Sequence, residues 1–121
     1  LGYRHDFPLV RIIMILGRSE TCDMVLEDSS VHLRHARIFR SGTVYKLQNL
    51  STEGTYLNSR RVEQKELHDG DEIAVGRYVF IFQSGKKIKL NVILLSEKVK
   101  KPTIKGKMSS GEIGIVKNKE F

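Results

Sequence analysis

Apolar residues along the chain alternate with polar ones in short runs that recur every ten residues or so, with Gly, Ser, Asn and Asp between them. That is the pattern of a sandwich or barrel of short strands. It predicts strands near Pro8 to Leu16, Met24 to Leu26, His35 to Arg40, Thr43 to Leu50, Tyr56 to Leu57, Arg61 to Val62, Glu72 to Val75, Arg77 to Ser84 and Lys87 to Leu95. Ser41-Gly42 and Gly85 with its neighbours read as hairpin turns. In Tyr78-Val79-Phe80-Ile81-Phe82 nearly every residue is apolar, so either both faces of that strand are covered or one exposed aromatic meets a neighbouring strand. No segment of ten or more residues before Ser96 carries a 3.6-residue stripe, so helix is expected to be scarce.

With 121 residues and 40% hydrophobic content, the chain suits one domain that buries roughly two thirds of its unfolded surface. Its longest apolar run, Ile12 to Leu16, is far short of the roughly 20 residues that span a bilayer, so no membrane insertion is expected. Cys22 is the one cysteine, which excludes an intramolecular disulfide. It reads as a small buried core residue in a reducing, intracellular and cytoplasmic setting. With no initiator Met and no signal-like amino end, the chain is expected to be a segment of a larger protein.

The net charge of +7 is uneven: seven lysines against three glutamates between 96 and 121 leave +4 there and +3 in residues 1–95. From Ser96 onward the lysines alternate with Pro102, Gly106, Ser109, Ser110 and Gly111. Such a composition buries too little apolar surface to offset its ordering entropy, so 1–95 is read as the domain and 96–121 as a Lys-rich linker or tail. Ile113 to Val116 is the part of it suited to pairing with another strand.

The residues with chemical potential sit at the ends of the apolar runs, where loops are expected: Gly17-Arg18, His32, Arg34, His35, Thr52, Glu53, Gly54-Thr55 and Asn58. Loops on a rigid strand frame carry ligand contacts, so the chain reads as a binding module. Arg18 follows a glycine that permits unusual backbone angles, and its guanidinium offers a planar fork of donors to phosphate; the plain alternative is a surface arginine in a turn. Asp69-Gly70-Asp71 reads as a turn and lacks the spaced ligand set of a calcium loop. No metal, cofactor or catalytic residue is expected, since no Gly-rich nucleotide loop, paired-cysteine site or nucleophile elbow occurs.

Taken in order, Leu16-Gly17-Arg18, Cys22 to Leu26, His35 to Ile38, Tyr45 to Ser51, Gly54 to Asn58 and Leu67 to Gly76 resemble the forkhead-associated (FHA) domain family over about residues 8 to 85. The resemblance implies an eleven-stranded, FHA/SMAD-like antiparallel β-sandwich that binds phosphothreonine in another protein through loops at one end, without catalysis. It further implies that Arg18 binds phosphate, that Thr52 touches phosphate, that Gly54 and Thr55 shape the loop, and that Gly17, His35 and Asn58 support the site. The phrase Asp71 to Gly76 resembles bacterial members more, and such domains occur in transcription regulators, secretion components and kinase substrates.

Two positions depart from the family. His32 stands where a phosphate-binding serine is usual, and Glu53 where an asparagine holds the peptide backbone. An imidazole N–H at His32 either replaces the hydroxyl, with binding strengthened below about pH 6.5, or the ring blocks the pocket. Glu53 accepts hydrogen bonds without donating and repels phosphate by about 1 kcal/mol at 4 Å in water. Arg34, Arg60 and Arg61 either compensate or are solvated loop charge. The expected partner is therefore a phosphothreonine-containing protein, with further domains in the parent chain and no sequence-specific nucleic acid. The alternative is a scaffold that binds a partner or adjacent domain independently of phosphate.

Overall fold

The computed structural model describes residues 3–8, 12–85, 88–94 and 98–104. Within them lie twelve strands and no helix: β1 Tyr3–Pro8, β2 Ile13–Gly17, β3 Met24–Val25, β4 Ala36–Ser41, β5 Val44–Asn49 and β6 Thr55–Leu57, then β7 Arg60–Val62, β8 Gln64–Leu67, β9 Glu72–Val75, β10 Tyr78–Ser84, β11 Ile88–Leu94 and β12 Thr103–Ile104. They form two six-stranded sheets, ordered β1-β11-β10-β9-β6-β7 and β12-β3-β2-β4-β5-β8. Every pairing is antiparallel except β2 with β3, where Leu16 faces Met24 and Gly17 faces Val25.

The core lies between the sheets. Met14, Leu16, Met24, Ile38, Leu47 and Leu67 from one meet Leu57, Ile73, Val75, Tyr78, Phe80, Phe82, Leu90 and Val92 from the other, all buried. Each large side chain removed from water in this way contributes roughly 1.5–3 kcal/mol. The apolar run in β10 resolves by strict alternation: Tyr78, Phe80 and Phe82 point inward, while Val79 and Ile81 are half-buried on the outer face. Phe82 also meets Tyr45 across the core, ring centroids 5.8 Å apart.

Sequence pattern missed β8 because three of its four residues are exposed and only Leu67 faces the core, which leaves no alternation to detect. It also merged residues 8–16 into one strand, where Pro8 instead ends β1 and Ile13 begins β2. The turn expected around Gly85 includes residues 86–87, outside the described residues, as is most of the tail, 95–97 and 105–121 with Ile113 to Val116.

The described part of the tail, residues 98–104, lies against the sandwich. β12 pairs Thr103 with Val25 and Ile104 with Met24. Val99 and Pro102 are buried, and the buried Tyr78 hydroxyl donates to the Lys100 carbonyl at 2.6 Å. Two apolar side chains spaced among lysines were enough to dock a segment whose composition reads as linker. A chain ending at residue 97 is expected to lose roughly 2–4 kcal/mol of stability through re-exposure of this surface and loss of the tyrosine hydrogen bond. Urea unfolding measures this, and an unchanged midpoint would show that the segment adds nothing.

Candidate functional site

Strand register decides which loops meet. β2 ends at Gly17 beside the start of β4, since Leu16 faces Ala36. Ala36 in turn faces Asn49, the last residue of β5, and Thr55, the first of β6, faces Val75, the last of β9. Loops 18–23, 26–35, 50–54 and 76–77 therefore emerge at one end of the sandwich.

Gly17 brings the first two together. Its backbone is outside the left-handed region, so the freedom expected of it is not what the site uses. A Cβ there would overlap the Leu33 carbonyl oxygen and lie 2.8 Å from Cys22 Sγ and 2.9 Å from Arg34 Cα. Only a residue without a side chain lets the two loops pair, and they do: Arg18 N–H donates to the His32 carbonyl at 2.9 Å and Ser19 N–H to that of Leu33 at 3.1 Å. Arg18 and His32 are thus neighbours, both exposed. The Arg18 Nε–H donates to the Val31 carbonyl at 2.9 Å, which aims the fork and leaves the donors on both terminal nitrogens for a ligand.

His35 is fully buried and clasps two loops. Its Nδ1 accepts the His32 backbone N–H at 3.0 Å. A backbone N–H can only donate, so the ring proton resides on Nε2, which donates to the Gly54 carbonyl at 2.7 Å. Burial pushes this imidazole below its usual range, opposed by the Gly54 carbonyl, helped by His32 and opposed again by Glu53. It is a neutral strut.

On the far side of that strut, Ser51 Oγ accepts the N–H groups of Glu53 at 3.0 Å and Gly54 at 3.2 Å, which folds the 51–54 turn. Gly54 takes φ +93°, in the glycine-favouring region. Thr52 and Glu53 are exposed on this turn. Thr55 is not: it is fully buried, and its hydroxyl donates to Asn49 Oδ1 at 2.8 Å, so it belongs to the frame and not to the contact surface. Arg34 is exposed on the middle loop.

Asn58 is not brought to this end. It follows β6 at the opposite end from Thr55, donating to Asp71 Oδ1 at 3.0 Å and accepting from the Glu72 N–H at 2.9 Å. It pins the β6–β7 turn to the start of β9. Arg60 faces Leu57 at that same turn and is exposed.

Sequence reading missed the brace behind the middle loop. Asp28 is buried and accepts from Ser30 Oγ at 2.5 Å, from Arg77 Nε at 3.1 Å and from Arg77 Nη2 at 2.5 Å. The Arg77 hydrogen bond, outweighing burial and helped by Ser30, holds this carboxyl well below the usual carboxylate range. Gly76, at φ +58°, permits the contact, because a Cβ there would lie 2.5 Å from Ser30 Oγ. Forty-nine residues separate the two partners, a distance no local signal bridges. Asn49 was read within the strand from Thr43 to Leu50 and Ser51 within the Tyr45 to Ser51 motif, neither with a role at this site.

Known proteins share the fold of this chain. The FHA domain model matches residues 14–76, the stretch from the core of β2 to the turn that holds Ser30. The chain belongs to the FHA domain family. The oxoglutarate dehydrogenase inhibitor of Corynebacterium jeikeium is 36% identical to this FHA domain over 72 residues, 59% of this chain and 50% of that protein. The chain thus spans about half the length of that curated relative. Mycobacterium tuberculosis EmbR, solved in complex with a low-affinity phosphopeptide, is 26% identical with TM-score 0.57 over 78% of this chain and 24% of its own. The N-terminal FHA domain of S. cerevisiae Rad53p, solved in complex with a phosphothreonine peptide, is 31% identical with TM-score 0.51 over 71% of this chain and 69% of its own. Among the described residues, no helix of this FHA domain is long and apolar enough to cross a membrane, and no cluster of His, Cys, Asp or Glu could hold a metal ion.

Proposed function

We propose that this FHA domain is a non-catalytic reader of phosphothreonine in a partner protein, serving signalling in the cytoplasm, a reducing setting that suits the buried free thiol of Cys22. Arg18 clamps the phosphate through its terminal nitrogens, the Thr52 hydroxyl and His32 add donors, and Arg34 adds charge. Glu53 sits beside the ligand as a carboxylate. Gly17 and His35 hold the loops, with Gly54 giving the turn its shape.

The observation that carries this reading is the exposed Arg18 fork, aimed by the Val31 carbonyl and tied through His32 and His35 to the turn that presents Thr52. Guanidinium to phosphate is the strongest class of hydrogen bond available here. Arg18→Ala is expected to weaken a phosphothreonine peptide by about a hundredfold in Kd while the fold persists. Calorimetric titration with phosphorylated and unphosphorylated forms of one peptide, alongside a thermal melt, checks both. Equal affinity of the wild type for the two forms would overturn the reading.

A further inference from the structure

The rim carries an arginine that the phosphate reading does not use. Arg61 lies in β7, opposite Tyr56 in β6, yet its side chain reaches up to the 51–54 turn. Its Nη2 donates to the Thr52 carbonyl at 3.3 Å. Its guanidinium lies flat over Gly54, where a Cβ would come within 3.1 Å of both Cζ and Nη1. The head group is therefore held at two points on the turn that also presents Thr52 and Glu53. The left-handed glycine is what leaves room for it.

Among the described residues, none of Arg18, Arg34 and Arg61 forms an ion pair with a carboxylate, although Arg77, Lys89 and Lys100 all do. Glu53, adjacent to both anchoring points of Arg61, does not take it. A guanidinium has five N–H donors, and the Thr52 carbonyl occupies one. Three unpaired arginines from three segments converge on one end, which is more cationic capacity than a single phosphate consumes.

We propose that Arg61 is a ligand-binding residue, forming a second anion subsite at the 51–54 turn, so that the preferred ligand carries a further anionic group beside its phosphothreonine. That group is an acidic side chain or a second phosphate; a planar fork accepts either. The proposal rests on the phosphothreonine reading.

The test titrates the full chain and its Arg61→Ala, Arg61→Lys and Glu53→Gln variants with three peptide sets in one neutral background. The first holds phosphothreonine alone, the second adds one Glu at each flanking position in turn, and the third adds one phosphoserine instead. The wild type is expected to gain about three- to tenfold from the second anion at a favoured position. Arg61→Ala removes that gain while changing the affinity for the peptide with phosphothreonine alone by less than about twofold. Arg61→Lys keeps part of it, and Glu53→Gln strengthens every phosphopeptide. The larger gain between the second and third sets identifies the source of the anion. A gain that persists in Arg61→Ala, or an equal loss for all peptides, overturns the subsite; the latter makes Arg61 only a prop for Thr52. A wild type that ignores phosphorylation altogether sinks the phosphothreonine reading, and this inference with it, which the first set alone reveals.

Discussion

Replacing His35 with alanine is expected to destabilise the domain by about 3 kcal/mol or more and to abolish phosphopeptide binding even though the imidazole touches no ligand. The substitution opens a cavity in a fully buried position and leaves the Gly54 carbonyl and the His32 N–H without partners. Each orphaned group costs roughly 1–3 kcal/mol, to which the cavity adds. For a domain of this size the melting temperature should fall by roughly 10 °C or more. The 26–35 loop then loses its tie to the 50–54 turn, so Arg18 and Thr52 are no longer held at one rim. A melting temperature within two degrees of wild type would exclude the strut.

The same residue sets a pH dependence. Its native pKa is lowered, chiefly by burial, while the unfolded chain titrates near about 6.5. The unfolded state then binds the extra proton, so this contribution is complete above about pH 6.5 and declines as the pH falls below it, by at most about 1.4 kcal/mol per unit. His35→Gln, which can still donate to the Gly54 carbonyl, should flatten that slope. Asp28 acts in a separate window: its native pKa is depressed, so its contribution is full above about pH 4 and is lost as the pH falls through the native value. Urea midpoints measured from pH 8 to pH 2 separate the two, since the His35 decline begins below about pH 6.5 and the Asp28 decline only below about pH 4.

Gly17→Ala is expected to cost about 2–3 kcal/mol and to weaken phosphopeptide binding with Arg18 intact. The added methyl would meet backbone atoms of Leu33 and Arg34 on one side and the buried Cys22 sulfur on the other, none of which is a flexible side-chain end. Overpacking of this kind costs roughly 1–3 kcal/mol. Relief requires the 18–23 and 26–35 loops to separate, which breaks the Arg18 to His32 and Ser19 to Leu33 backbone pairs. Gly85→Ala is the control, since nothing lies within 4 Å of its position. Equal stability of the two variants would refute the close-approach role of Gly17.

Much of the frame was legible because alternation is a local property. The inward face of β10, the strand from Glu72 to Val75, and the scarcity of helix all follow from residues that lie next to one another in the chain. Strands with little alternation were not: β8 is an exposed edge and β12 two residues beyond a run of lysines. At the rim, Arg18, His32 and Thr52 were visible as chemistry-bearing residues in loops. Thr55 looked the same, and burial beside Asn49 removed it from the surface. Asn58 had the right residue type and the wrong end of β6.

By itself the sequence determined the sandwich class, the single cysteine and the ordered FHA motifs, because each is a matter of residue type and short-range spacing. Only the tertiary structure decided that Gly17 serves close approach, that His35 is a neutral strut, that Asp28 and Arg77 brace the middle loop, and that Arg61 rests on Gly54. Those outcomes depend on contacts between residues up to 49 positions apart, made by strand register across the sheets, and register is settled by packing of the whole core.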